Sequence, residues 1–196
     1  MSSVFNGKYR MTKIFLHGAN ATPKSWNYIR SQIGDGIMIS YNSGLGFKNN
    51  LEMMKSQLQD VENLEFISHS LGGIYALHLA DHFSDRVKCG ISLSTPYGGV
   101  NVPMVARYYL YWHRLFHDIV PTAWPIATVN DIKLRWPWTN VVTVSGSMPW
   151  NLKPNDGVVS IESQRHRSDM ELIDLDANHY EVVLSDQAVE IIKARL

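Results

Sequence analysis

The chain has 196 residues, 45% of them apolar, with eighteen Lys and Arg against eighteen Asp and Glu. That length predicts one domain, residues 1–196, with a sizeable core. The balanced charge, with no run of Lys and Arg, gives no reason to expect a nucleic-acid partner. The one cysteine, Cys89, excludes an internal disulfide and a cysteine-rich zinc site; before Gly90 in an apolar run it reads as a buried, inert thiol. Met1 to Arg10 has no apolar signal region, and no stretch of about eighteen apolar residues exists, so the expectation is a cytoplasmic protein without a transmembrane segment.

Strand-like and helix-like runs alternate. Lys13 to Leu16 is a short apolar run ending at His17-Gly18. Thr22-Pro23 reads as a helix start, with Trp26, Ile29 and Ile33 at helical spacing and Gly34 as the stop. Gly36 to Tyr41 is a second strand, and Asn42 to Asn50, rich in Gly and Asn, reads as a loop. Leu51, Met54, Leu58 and Val61 make one face of a helix. Leu64 to Ile67 is a third strand, followed after Ser68 to Gly73 by a helical run from Ile74 to Ala80. Further strands are predicted at Val87 to Leu93, Asn140 to Val144 and Glu171 to Leu175. A last helix, N-capped by Ser185, buries Val189, Ile192 and Leu196. This alternation predicts a mostly parallel sheet of about six strands with helices on both faces. All strand C-terminal ends then share one edge, where such sheets place their ligands.

Residues 97–139 break the rhythm. They hold nine of the 21 aromatics, about twice their share by length. Tyr108, Trp112, Leu115 and Ile119 have helical spacing, while Pro121, Pro125 and Pro137 interrupt the remainder of the segment. The segment reads as an inserted cap. Its aromatics, Tyr109, Trp112, Phe116, Trp124, Trp136 and Trp138, have three readings: the lining of an apolar substrate pocket, the cap's own small core, or an exposed patch for a lipid surface or protein partner.

The chemistry centres on Ser68-His69-Ser70-Leu71-Gly72-Gly73. A serine flanked at −2 and +2 by small residues, at a strand-to-helix turn, has the pattern of a nucleophile elbow. Ser68 stands where glycine is commoner. A serine hydroxyl needs a base, and the base an orienting acid. Both must come from the strand ends that share an edge with Ser70. His179, just past the sixth strand, meets that requirement for the base. His69 is adjacent to Ser70 and points the wrong way for proton transfer, and His17 reads as a brace for the loop after the first strand. Asp156, in Asn155-Asp156-Gly157-Val158-Val159, meets the requirement for the acid, with Gly157 allowing a tight turn. The order Ser, Asp, His is that expected on this scaffold. An oxyanion hole needs two backbone N–H donors; Leu71, after the nucleophile, and Ala19, after His17-Gly18, are the candidates. His78/His82 and His113/His117 lie four apart without an accompanying acidic motif, so no metal is expected. No glycine-rich phosphate loop appears and no cofactor is expected.

With these residues in place the chain resembles the α/β-hydrolase superfamily, and within it small lipase- and esterase-like serine hydrolases. The resemblance rests on Ile14 to Gly18, the Ser68 to Gly73 elbow, Ser94-Thr95-Pro96-Tyr97-Gly98-Gly99, Asn155 to Val159 and Asn178-His179. It implies a minimal version of that fold, since the antiparallel strands that open larger members are absent or reduced to Ser3 to Arg10. It also implies Ser70, Asp156 and His179 as catalytic residues and Ala19 and Leu71 as oxyanion hole, while the aromatics of the inserted segment suggest a small acyl substrate with an apolar acyl or aromatic group. Trp112, Phe116, Trp124 and Trp136 are the expected substrate-binding residues. The leading expectation is a carboxylic-ester hydrolase. The alternatives are a thioesterase, amidase or acyltransferase with the same residues, or a binding module that keeps only the scaffold.

Overall fold

The computed structural model describes residues 11–101, 117–148 and 153–196. Six parallel strands form one sheet in the order β2-β1-β3-β4-β5-β6. They are β1 (Thr12–Leu16), β2 (Ile37–Ile39), β3 (Leu64–His69), β4 (Val87–Leu93), β5 (Trp138–Thr143) and β6 (Glu171–Leu175). The α-helices are α1 (Asn27–Ile33), α2 (Phe47–Gln57), α3 (Leu71–His82), α4 (Trp124–Asp131), the single turn α5 (Ile161–Gln164) and α6 (Asp186–Lys193), with short 3₁₀ turns at Pro23–Trp26, Ser43–Leu45 and Glu181–Leu184. No helix of the described residues is long and apolar enough to cross a membrane.

Strand alternation divides the core in two. Ile14, Leu16, Leu64 and Phe66 point to the face covered by α2, α3 and α4, where Leu51, Met54, Ile74, Leu77, Ile126 and Val129 are buried. Phe15, Ile67, Ile91 and Val141 point to the other face, under Trp26 and Ile29 at α1 and Val189 and Ile192 of α6. Every residue of β3 is buried, as expected of a central parallel strand. Ser185 caps α6 by accepting from the Ala188 N–H at 3.3 Å. Thr22 does not cap: its side chain makes no such bond, and the Pro23 turn is 3₁₀ before α1 begins.

Several boundaries differ from the sequence reading: β2 is shorter than Gly36 to Tyr41, β3 runs on to His69, and two further shifts, at the starts of α2 and β5, have a cause in packing. The expected loop at 42–50 contains the 3₁₀ turn and the start of α2. Asn50 is turned inward, donating to the carbonyls of Asn42 at 2.9 Å and Gly46 at 3.1 Å, while the Asp118 carboxylate accepts the Phe47 N–H at 2.9 Å. Those partners outweigh the weak helix propensity of Gly and Asn. Strand β5 starts at Trp138, because its ring lies over Gly90, where a Cβ would strike it. Cys89 is half-buried rather than buried; burial and the Glu65 carboxylate push its thiol up to about 11, so it is a poor nucleophile.

The part of the 97–139 segment nearest β5 does not stand over the sheet edge. Ile126 and Val129 of α4 pack into the core beside α3, and Tyr97 is wholly buried. The expected helix through Tyr108, Trp112 and Leu115 lies outside the described residues, as do Tyr109 and Phe116.

Candidate active site

The elbow is built from the backbone outward. Ser70 has φ 53° and ψ −124°, between the end of β3 and the start of α3. A non-glycine residue at positive φ is strained, and such strain persists only where neighbours hold it. Here the Ser70 N–H donates to the Leu93 carbonyl at 2.9 Å, while its carbonyl accepts from the Gly73 N–H at 2.9 Å and the Thr95 hydroxyl at 3.2 Å. A Cβ on Gly72 would lie 2.6 Å from the His17 carbonyl oxygen, and one on Gly73 would run into the Thr95 side chain. Ser68 is fully buried, and its hydroxyl donates to the Ile91 carbonyl of β4 at 3.1 Å. A small residue is what this position requires, and serine adds a bond that glycine lacks.

His179 lies between Ser70 and Asp156. Its Nε2 is 3.0 Å from Ser70 Oγ and its Nδ1 2.8 Å from Asp156 Oδ2. A carboxylate can only accept, so Nδ1 carries the proton and Nε2 presents its lone pair to the serine hydroxyl. Two bonds fix the backbone of the base: the His179 N–H donates to the Asp156 carbonyl at 2.9 Å, and the His69 ring Nε2–H donates to the His179 carbonyl at 2.8 Å. His69 takes no proton from Ser70; it holds the residue that faces Ser70. Burial, then the charge of neighbouring His179, pushes its pKa down to about 3, so the ring is neutral at ordinary pH.

Asp156 turns inward through a tight loop in which Gly157 has φ 96°. A Cβ on Gly146 would collide with the Asp156 backbone. The carboxylate is almost fully enclosed. Oδ1 accepts the N–H groups of Val158 at 3.0 Å and Val159 at 2.7 Å, and Oδ2 accepts from His179, from the Thr143 hydroxyl at 2.7 Å and from Gln164 Nε2 at 3.1 Å. Burial alone would raise this carboxyl; the hydrogen bonds and the His179 charge hold it below the usual range. Thr143 and Gln164 were invisible in the sequence, since no local pattern ties either to Asp156.

Gly18 closes the site from β1. A Cβ there would lie 3.2 Å from Ser70 Cβ and 2.9 Å from His69 Nδ1. His17 braces this turn. Its ring stacks on Tyr41 at 4.2 Å, its Nδ1–H donates to the Gly18 carbonyl at 2.8 Å, and the Tyr41 hydroxyl donates to the His17 carbonyl at 2.7 Å. The Ala19 and Leu71 amides have no acceptor among the described residues. No group of three or more His, Cys, Asp or Glu among the described residues is placed to share a metal ion.

The aromatic expectations fare differently. Trp112 and Phe116 lie outside the described residues. Trp136 is corrected: its Nε1–H donates to the Ser84 carbonyl at 2.7 Å, just ahead of β4, so the indole fills the opposite edge of the sheet from Ser70. Trp124 is 43% exposed and stacks on His78 at 5.3 Å, eight residues or about 12 Å along α3 from Ser70. With Leu45, Phe47, Lys48 and Asp118 it lines a groove of about 370 Å³ to which Ser70 and His179 do not contribute.

Against solved structures the whole described architecture finds counterparts. The mature lipase BlEst2 of Bacillus licheniformis superposes with a TM-score of 0.75, covering 94% of this chain and 91% of its own at 14% identity. The chain has the α/β-hydrolase fold. Other structures with that fold include a lipase-esterase related protein of Clostridium acetobutylicum, with a TM-score of 0.62, 14% identity and 94% of both chains covered. The haloalkane dehalogenase DatA of Agrobacterium tumefaciens has a TM-score of 0.66 at 11% identity, over 94% of this chain and 88% of its own. At such identities the likeness is one of α/β-hydrolase fold. No family model and no curated protein matches the sequence.

Proposed function

We propose that this protein is a serine hydrolase of carboxylic esters. The observation that carries the reading is the unbroken chain from Ser70 Oγ to His179 Nε2 at 3.0 Å and from His179 Nδ1 to Asp156 Oδ2 at 2.8 Å, set on a strained elbow. Ser70 attacks the ester carbonyl while its proton passes to His179, and Asp156 holds the imidazolium. The N–H groups of Ala19 and Leu71 receive the oxyanion. His179 returns the proton to the leaving alcohol, and an acyl ester remains on Ser70. Water, deprotonated by His179, then releases the acid.

The lipase and the lipase-esterase related protein among the fold's neighbours support this chemistry, and the dehalogenase does not divert it. Displacement of a halide by the serine oxygen would leave an ether on Ser70. An ether has no carbonyl for water to attack, so the enzyme would stop after one turnover. An acyl group is the cargo that a serine nucleophile can both take and release.

A chain-length series of p-nitrophenyl esters, with matching thioesters and anilides, tests the reading. Esters should be turned over fastest, and Ser70→Ala or His179→Ala should lower kcat at least about 10⁴-fold. Faster thioester or anilide turnover would move the substrate class while keeping the residues. Full activity of Ser70→Ala would leave the site without a catalytic role.

A further inference from the structure

Asp156 Oδ2 has more donors than one carboxylate oxygen readily serves. Such an oxygen offers about two lone-pair directions, yet His179 Nδ1–H, the Thr143 hydroxyl and Gln164 Nε2–H all converge on it, at 2.8, 2.7 and 3.1 Å. The geometry makes two of these donors permanent. Gln164 is fully buried, and its Oε1 accepts the Thr143 N–H at 2.9 Å. Its amide cannot flip without losing that bond, so Nε2 must face the Thr143 carbonyl and Asp156. The Thr143 hydroxyl has one hydrogen, and the shortest acceptor in reach is the carboxylate. Gln164 Oε1, an acceptor only, is farther at 3.3 Å, and Ser94 Oγ at 2.8 Å must then donate to the Thr143 hydroxyl. A directed chain results, from the Ser94 hydroxyl through the Thr143 hydroxyl to Asp156 Oδ2, in a fully buried setting where such bonds polarise one another. Ser94 stands directly after β4 and Thr143 ends β5, so both come from the strand-end edge that carries Ser70.

We propose that Thr143, backed by Ser94, is a positioning residue that shares Oδ2 with His179 and sets how firmly the acid holds the imidazolium. This rests on the serine-hydrolase reading of the site. A carboxylate whose charge is partly taken up by Thr143 stabilises the imidazolium less. With the hydroxyl in place, activity therefore extends further to the acid side. Removing the hydroxyl returns charge to Oδ2 and strengthens its hold on the imidazolium. The acid limb of the rate profile should then move to higher pH.

Other titratable groups surround the pair, and each of them is retained in the Thr143 and Ser94 variants. His69, from the end of β3, is neutral down to about 3. His17, from the end of β1, is pushed down by burial and stacks on Tyr41. On the base's own loop, the Tyr180 ring meets the His179 ring edge-on, the Glu181 carboxylate accepts the Asn178 N–H, and Asp176 is held by the Ser145 hydroxyl. Asp156 itself ionises below the usual carboxylate range.

The test measures kcat/KM for p-nitrophenyl acetate, and the rate at which a fluorophosphonate modifies Ser70, from pH 5 to 9. Thr143→Val, near in shape, should raise the midpoint of the acid limb by roughly half a pH unit or more. Thr143→Ser, which restores the hydroxyl, should bring it back. Ser94→Gly removes the first donor at a position whose φ of 52° suits glycine, so it guards against a Thr143→Val protein that does not fold. It should shift the limb the same way by less. An unmoved or lowered midpoint in a folded Thr143→Val or Ser94→Gly protein overturns the inference and leaves the catalytic reading intact. Absence of Ser70 modification in the unmutated protein overturns that reading, and the inference with it.

Discussion

His69 occupies a costly place for a histidine. It is buried against His179 and Gly18, spends its one N–H on the His179 carbonyl, and is neutral down to about pH 3. In the unfolded chain it would take a proton near the ordinary value of 6.5. Between those values the unfolded state binds one proton more than the native state, so stability falls as pH falls below 6.5. His69→Gln keeps an N–H donor and removes the proton uptake. Urea titrations at pH 7 and pH 5 should show the wild type losing about 2 kcal/mol more than His69→Gln over that interval; equal losses would mean that His69 is not held neutral. His17, lowered in the same sense by burial, remains in both proteins. Ser70 and His179 were legible because each follows a strand end within a few residues, where this class of sheet gathers its chemistry, and Asp156, 13 residues past the end of β5, was legible from its Asp-Gly turn and its place in the chain order. His69, Thr143 and Gln164 were not legible as parts of the site, because their roles exist only across the fold. Thr143 and Asp156 are 13 residues apart, and His69 and His179 are 110 apart.

Among the elements, one tight joint is the crossing of α3 over the end of β1. Gly72 lies against the carbonyl oxygens of Leu16 and His17, which are backbone and have no rotamer to change. Gly72→Ala should cost at least about 2 kcal/mol, read as a lower urea midpoint, together with slower Ser70 modification as the elbow shifts. An unchanged midpoint would show that the two elements pass with room to spare. Strands β4 and β6 were readable to the residue, being short apolar runs with clear ends. The start of α2 was misread because Asn50 is usually a loop residue; here it bonds two backbone carbonyls and the Tyr75 hydroxyl. The start of β5 was misread because Trp138 needs the gap at Gly90, a neighbour on another strand.

At the scale of the molecule, one parallel sheet delivers Gly18, Ser70, Ser94, Thr143 and His179 to the edge formed by its strand C-terminal ends. That arrangement comes from alternation in the sequence, which is why the fold was legible at identities where sequence comparison finds nothing. The aromatic-rich insertion was less legible, since aromatic content does not say which edge a ring faces. Trp136 serves the opposite edge, Trp124 a groove on the flank of α3, and Trp138 the core. The central claim is that Ser70 is a nucleophile activated by His179. It is tested most directly by treating the folded protein with a fluorophosphonate and mapping the adduct by peptide mass spectrometry. The account predicts one adduct, on Ser70, formed at least about 10³-fold more slowly in His179→Ala. An adduct elsewhere, or none on folded protein, would contradict it.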